Sequence, residues 1–133
     1  MSKPKVVFLC VHNSCRSQMA EGFARFHGGY QVEALSAGAN PVGHLSARAI
    51  EAMAELGIDI GAQFPQSLDH VTGEFDALVT LGASDPGPRI AARLREDWPV
   101  KDPEGRSDQA YLDIRDDIRR RVQTLIANLR SHR

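Results

Sequence analysis

Cysteine is nearly absent from this chain: there are two in 133 residues, Cys10 and Cys15. They lie too near each other to staple a secreted fold, so thiol reactivity is the better reason for their presence. Neither sign of charge is in excess, with 16 lysines and arginines against 17 aspartates and glutamates. Nothing therefore marks a nucleic-acid or acidic-membrane surface. No apolar run approaches the roughly 20 residues that span a bilayer, and the amino terminus lacks the apolar core of a secretory signal. Internal repeats, low-complexity tracts and linkers are missing as well. These absences leave a single domain over residues 1–133, expected to be soluble, cytoplasmic and monomeric, without nucleic-acid or membrane partners. A chain of this length buries roughly two thirds of its unfolded surface, enough for a core without staples.

What is present is an alternation of the two hydrophobic periods. Lys5 to Cys10 is expected as a strand, and Ser17 to about His27 as a helix ended by Gly28 and Gly29. Gln31 to Ala37 predicts a second strand, with Val32, Ala34 and Leu35 facing inward, and Gly38 to His44 a loop. Ser46 is placed to cap a helix whose Ile50, Met53 and Ala54 share a face, with Leu45 and Ile50 as a hydrophobic staple and Gly57 as the stop. Ile58 to Phe64 is irregular, and Ser67 to Val71 adds a helical turn. Phe75 to Leu81 is a nearly continuous apolar run, expected as a central strand buried on both faces. Gly82 to Pro88 is turn chemistry, Ile90 to Arg95 predicts a short helix, and Trp98 to Val100 a short strand. Ser107 then caps a long helix carrying Tyr111, Ile114, Ile118, Val122 and Leu125 on one face and most of its arginines on the other. His27, His44, His70 and His132 are expected at the surface and Trp98 in the core. Strands alternating with helices predict an α/β fold, a three-layer α/β/α sandwich around four parallel strands. Such sheets bind ligands at their carboxyl edge. The Cys10 loop, the Ser36-Ala37-Gly38 corner, Asp85-Pro86 and Asp102-Pro103 all fall there.

The chemistry is concentrated between the first strand and first helix, where Cys10 is followed after five residues by Arg16 and Ser17. A helix amino terminus has N–H groups without internal partners and about half a positive charge, so it favours a bound oxyanion or a thiolate. Free cysteine titrates near about 8.5, so a nucleophile working at neutral pH needs that value lowered. The helix N–H groups, the Arg16 charge and a hydroxyl bond from Ser17 all act in that direction. Arg16 can grip two oxygens of a tetrahedral anion while the amides of Val11, His12, Asn13, Ser14, Cys15 and Arg16 take the others. Turning those amides inward needs unusual backbone angles, which Asn13 and His12 tolerate. Other readings stay open. Cys15 suits a small buried hydrophobe or a disulfide partner protecting Cys10, and Ser17 a plain helix cap. Cys10, His12 and Cys15 lack a fourth ligand at finger-like spacing, so no metal site is expected.

The stretch Val7 to Gly22 (VFLCVHNSCRSQMAEG) resembles the phosphate-binding loop and first helix of the low-molecular-weight protein tyrosine phosphatase superfamily, and more closely the arsenate reductases that share its fold. The likeness continues through Ser36-Ala37-Gly38, Leu56 to Ile60, Phe75 to Leu81, Trp98 followed by Asp102-Pro103, and the closing helix. By resemblance, Cys10 is the nucleophile, Arg16 the oxyanion clamp, Ser17 the thiolate partner, Asn13 the loop organiser and Asp102 the general acid. Glu21 and Ser36 match positions that hold a potassium ion beneath the loop in some of these reductases. No other tightly bound cofactor is implied.

Several reductases of this type carry two further cysteines after the third strand, which relay a disulfide to thioredoxin. Here the corresponding segment, Thr80 to Arg89 (TLGASDPGPR), begins the relay position with Gly82 and contains no cysteine. Reduction must then be completed by an external thiol, either a small molecule such as mycothiol or glutathione or a thiol-redox protein. His12 stands where many phosphatases have glycine. Phosphatases of this fold commonly place aromatics directly after the Asp-Pro, as a wall for phosphotyrosine; this chain has Glu104-Gly105 there. Val11 and the Gly38 to His44 loop supply no ring, which leaves Phe64 or Trp98 as the side chains able to cover the site. The expected function is arsenate reduction through an external thiol. The alternatives are phosphotyrosine hydrolysis through a cysteinyl-phosphate, and a non-catalytic arsenate or phosphate sensor. Asp102 is preferred to Asp85 as the acid because it follows Trp98.

Overall fold

The computed structural model describes residues 3–131, so His132 lies outside the described residues. Four strands, β1 (Lys5–Cys10), β2 (Glu33–Gly38), β3 (Glu74–Leu81) and β4 (Ala91–Trp98), form one sheet in the order β2-β1-β3-β4. Every pairing is parallel, with Cys10 beside Gly38 and Leu9 beside Thr80. Among the described residues there are three α-helices: α1 (Arg16–Gly28), α2 (Ala47–Ala54) and α3 (Asp108–Ser131).

Strand alternation decides which side chain meets which layer. Val6, Phe8 and Cys10 face the larger core with Met19 and Phe23 of α1, Met53 of α2 and Ile118 and Val122 of α3. Val7 and Leu9 face the opposite side, against Phe75, Leu78 and Ile90, where Leu68 and Val71 of the 3-10 turn region close the layer. The result is the expected three-layer α/β/α sandwich, with its second outer layer built from short turns. Trp98 belongs to the larger core, its ring 5.9 Å from that of Phe8.

Local signals set most boundaries. The Ser46 hydroxyl accepts from Ala49 N at 3.2 Å and starts α2, and Ser107 does the same for Ala110 N before α3. Gly29 and Gly57 carry positive φ just past α1 and α2. On α2 the buried face is Ala49, Ala52 and Met53; Ala54, expected to share it, is exposed. On α3 one arginine joins the buried stripe: Arg115 Nη1 donates to Ala52 O at 2.9 Å, satisfying a carbonyl that the end of α2 leaves free.

The helix expected over Ile90 to Arg95 is instead the body of β4, and the short strand expected at Trp98 to Val100 is only its end. Ala, Arg, Leu and Glu favour a helix locally, but the open edge of β3 offers a ladder of unpaired backbone groups, and pairing with it overrides propensity. The connection from β3 to β4 is therefore residues 82–90, with one 3-10 turn at Gly87–Arg89.

His27 also departs from expectation. It is half-buried at the end of α1, stacked on Phe23 at 6.0 Å, and accepts from Arg119 Nε of α3 at 3.2 Å. Burial, then the Arg119 charge, holds its pKa below the ordinary value. The unfolded chain therefore takes up this proton first. Stability is complete above the unfolded value of about 6.5 and is lost as pH falls through the folded one. The urea midpoint of the unaltered protein should fall more between pH 7.5 and 5.5 than that of His27→Gln; identical pH slopes would remove His27 from the account.

Candidate active site

Residues 11–15 form a loop whose carbonyls all find donors outside it. Val11 O accepts from Asn40 N at 2.8 Å, His12 O from Val42 N at 3.2 Å and Ser14 O from Ser46 N at 2.8 Å. Asn13 O takes the Gln18 side chain at 2.9 Å. In a trans peptide the next N–H points away from the carbonyl, so outward carbonyls turn the amides of residues 12 to 15 into the ring. The curl needs Asn13 at φ 52°, which is the sole positive φ outside glycine among the described residues. Gly38 lets the ring sit this close to β2, since a Cβ there would lie 2.6 Å from Val11 O.

Cys10 ends β1 at the base of this ring, with Sγ 2.8 Å from the Ser17 hydroxyl. Ser17 is buried in the first turn of α1 and accepts from Asn13 Nδ2 at 2.8 Å, so it does not act as the helix cap. Asn13 Oδ1 in turn accepts from Gln66 N at 2.9 Å. One asparagine thus ties the thiol's partner to a segment more than fifty residues away. Gln18, Gln63 and Gln66 brace the same region: Gln63 donates to Gln18 Oε1 at 2.8 Å, and Gln66 Nε2 to Ser36 O at 2.8 Å. None of the three was singled out from sequence. A polar side chain buried in the first turn of a helix, as Gln18 is, was the available signal.

Arg16 opens α1 and reaches the carboxyl edge of the sheet. Its Nη1 donates to Val100 O at 2.9 Å, leaving Nη2 and Nε as donors for a ligand. The guanidinium lies directly over Gly82, where a Cβ would stand 2.1 Å from Nη1, and Gly82 itself has φ 72°. The space that a side chain at position 82 would occupy is filled here by the arginine of the loop.

Cys15 faces away from the ring, with Sγ 3.1 Å from the Tyr111 hydroxyl. Burial, followed by the Glu104 and Asp102 carboxylates and Cys10, drives its pKa well above the ordinary thiol value. Both cysteines are free thiols. Tyr111, expected only as core, also meets the Ser46 hydroxyl at 3.4 Å, and Ser46 donates to Glu104 Oε2 at 3.0 Å. The Asp102 loop is thereby pinned beside the ring. Asp102 is exposed and accepts Glu104 N at 3.0 Å. Asp85 is occupied elsewhere, paired with Arg95 at 2.5 Å and capping Gly87 N at 2.7 Å. His12 is exposed, with Nδ1 3.1 Å from Asn40 O.

Glu21 and Ser36 do come together, but not as the free ligands of an ion. Ser36 Oγ donates to Glu21 Oε1 at 2.6 Å, and Arg25 holds Oε2 through Nε at 2.8 Å and Nη2 at 2.7 Å. The carboxylate charge is already balanced by a guanidinium, and among the described residues no buried side-chain oxygen is left without a partner. These residues do not fit potassium. Nor are they the solvated helix residue and loop hydroxyl that their types suggest, because both are buried.

Residues 5–87 match the family described as low molecular weight phosphotyrosine protein phosphatase. A glutaredoxin arsenate reductase from Synechocystis sp. is 35% identical over 129 residues, covering 94% of this chain and 98% of that protein. A solved arsenate reductase in the phosphate binding state superposes with a TM-score of 0.88 at 35% identity, over 95% of this chain and 98% of the other. A low molecular weight protein tyrosine phosphatase from T. tengcongensis superposes with a TM-score of 0.75 at 26% identity, over 95% and 99%.

Gly82→Ala adds a methyl where the guanidinium lies and strains a positive φ. Affinity for inorganic phosphate, measured by calorimetry, should fall by about tenfold; unchanged affinity would mean that Arg16 needs no bare backbone beneath it.

Proposed function

The chain belongs to the low molecular weight phosphotyrosine protein phosphatase family and, within it, to the arsenate reductases; from that premise we propose that it reduces arsenate with an external thiol. The observation that carries the choice of substrate is the bare rim of the loop. Trp98 is in the core, Glu104 and Gly105 follow Asp102-Pro103, and Phe64 stands 70% exposed instead of packed as a wall. Among the described residues, neither the buried Trp98 nor the Glu104-Gly105 pair after Asp102-Pro103 offers a wall for a phenyl ring. A small tetrahedral anion needs only the inward amides and the two spare donors of Arg16.

In this reading Cys10 attacks arsenic as the thiolate while the amides of residues 12 to 15 and Arg16 hold the equatorial oxygens. Asp102 gives its proton to the departing oxygen, which leaves as water. Ser17 and Asn13 are positioning residues for the sulfur. The incoming thiol then attacks Cys10 Sγ, the sulfur–arsenic bond breaks, and its electron pair stays on arsenic, which departs as arsenite. Cys10 is left in a mixed disulfide that a second thiol opens, so two thiols supply the two electrons. With Gly82 under Arg16 the chain offers no relay thiol of its own, and the glutaredoxin named for the Synechocystis relative is the kind of partner this chemistry takes. A reducing cytoplasm supplies such thiols.

Phosphotyrosine hydrolysis is the second reading, favoured by the family match and the phosphatase superposition. Assaying arsenite release with glutathione, mycothiol or glutaredoxin against aryl phosphate hydrolysis separates them. Thiol-dependent arsenite with slow aryl phosphate turnover is expected; rapid aryl phosphate turnover without arsenite would reverse the order. Intact anion binding with neither activity would make the protein a sensor. Cys10→Ser should abolish turnover and keep phosphate affinity. Asp102→Asn should slow turnover by about 100-fold, and Asp85→Asn much less; equal losses would overturn the assignment of the acid.

A further inference from the structure

Beneath the anion loop a helix and a strand are joined by one carboxylate. Glu21 projects from α1 with its side chain only 8% exposed, and it meets Ser36 of β2. A carboxylate so buried needs a positive partner, and its neighbours on β2 offer only a hydroxyl and backbone. Arg25, one turn further along α1, supplies that partner. Nε and Nη2 both reach Glu21 Oε2, and Nη2 also donates to Ala34 O of β2 at 3.1 Å. From there a path of hydrogen bonds, linked through the covalent frames of Ser36, Gln66 and Asn13, leads to the sulfur. Ser36 O accepts from Gln66 Nε2, Gln66 N donates to Asn13 Oδ1, Asn13 Nδ2 donates to Ser17 Oγ, and Ser17 Oγ meets Cys10 Sγ.

We propose that Arg25 is a positioning residue for the anion loop. Its guanidinium is a covalently attached cation that holds Glu21 and Ser36 together, so the loop keeps its shape without potassium. Arg25 touches neither anion nor thiol. It acts by fixing where β2 sits relative to α1, and therefore where Gln66 offers its N–H to Asn13. The proposal rests on the reading of residues 11–16 as the anion site, but it does not require arsenate to be the substrate.

The test uses the full chain, Arg25→Met and Arg25→Lys in the chlorides of potassium, sodium and N-methylglucamine at equal ionic strength. Thermal midpoint and inorganic phosphate affinity are read in each. Neither depends on turnover, so failure of the arsenate assignment and failure of this proposal are distinguishable. The unaltered protein should give the same midpoint and affinity in all three salts. In N-methylglucamine, Arg25→Met should bind phosphate about fivefold more weakly, and potassium should restore it better than sodium by entering beside the vacated carboxylate. Arg25→Lys should stay near the unaltered protein. Should Arg25→Met fold poorly, Glu21→Gln/Arg25→Met removes the charge that calls for a cation and should be indifferent to the salt. A potassium requirement in the unaltered protein, full phosphate affinity of Arg25→Met in N-methylglucamine, a loss that potassium does not repair, or a potassium response in the double variant would each overturn the proposal.

Discussion

A ring of peptide amides can face inward only if every carbonyl it turns outward finds a donor. That demand organises the carboxyl edge of this sheet. The donors come from four places: the backbone of Asn40, Val42 and Ser46, and the side chain of Gln18. Each bond is ordinary in strength, and the cost of losing one is greatest at the buried Asn13, where an unpaired carbonyl costs about 1–3 kcal/mol. The inward dipoles repel one another until an anion arrives. Asn13 resolves the geometry by taking the left-handed backbone and by spending both ends of its side chain on Ser17 and Gln66.

At the same edge one glycine makes room for the arginine of the loop. Over Gly82 the Arg16 guanidinium occupies the space in which any side chain would stand. A side chain at this position would meet the end of the arginine, which would have to swing aside to make room. The connection that follows is held by arginines instead of carrying cysteines: Arg95 pairs with Asp85, and Arg89 with Asp69. Arg25 on Glu21 is another guanidinium that balances a carboxylate at this end of the molecule.

Much of the fold was legible because it is written locally. β1, the turn of α1 around Phe23, the Ser46 cap and the long α3 stripe are periodic patterns and caps within one element. β4 was not legible. Its residues prefer a helix, and only the open edge of β3 makes them a strand. His27 misled for the related reason that its type favours the surface while Arg119 on another helix packs against it.

At the site, Cys10, Arg16, Ser17 and Asn13 stood out because the thiol, the clamp and the loop lie within eight residues of one another, between a strand and a helix. Sequence by itself determined the layered fold class, the anion loop and the lack of a relay thiol, since each depends on residues adjacent in the chain or on composition. Tertiary structure decided the rest: that Gly82 is the floor beneath Arg16, that Gln66 carries Asn13, and that Arg25 fills the charge beside Glu21. Two of these are contacts between segments far apart in the chain, and the third draws its meaning from Ser36 on a strand beyond the helix. Spacing along a chain does not record which distant segments share a few ångströms.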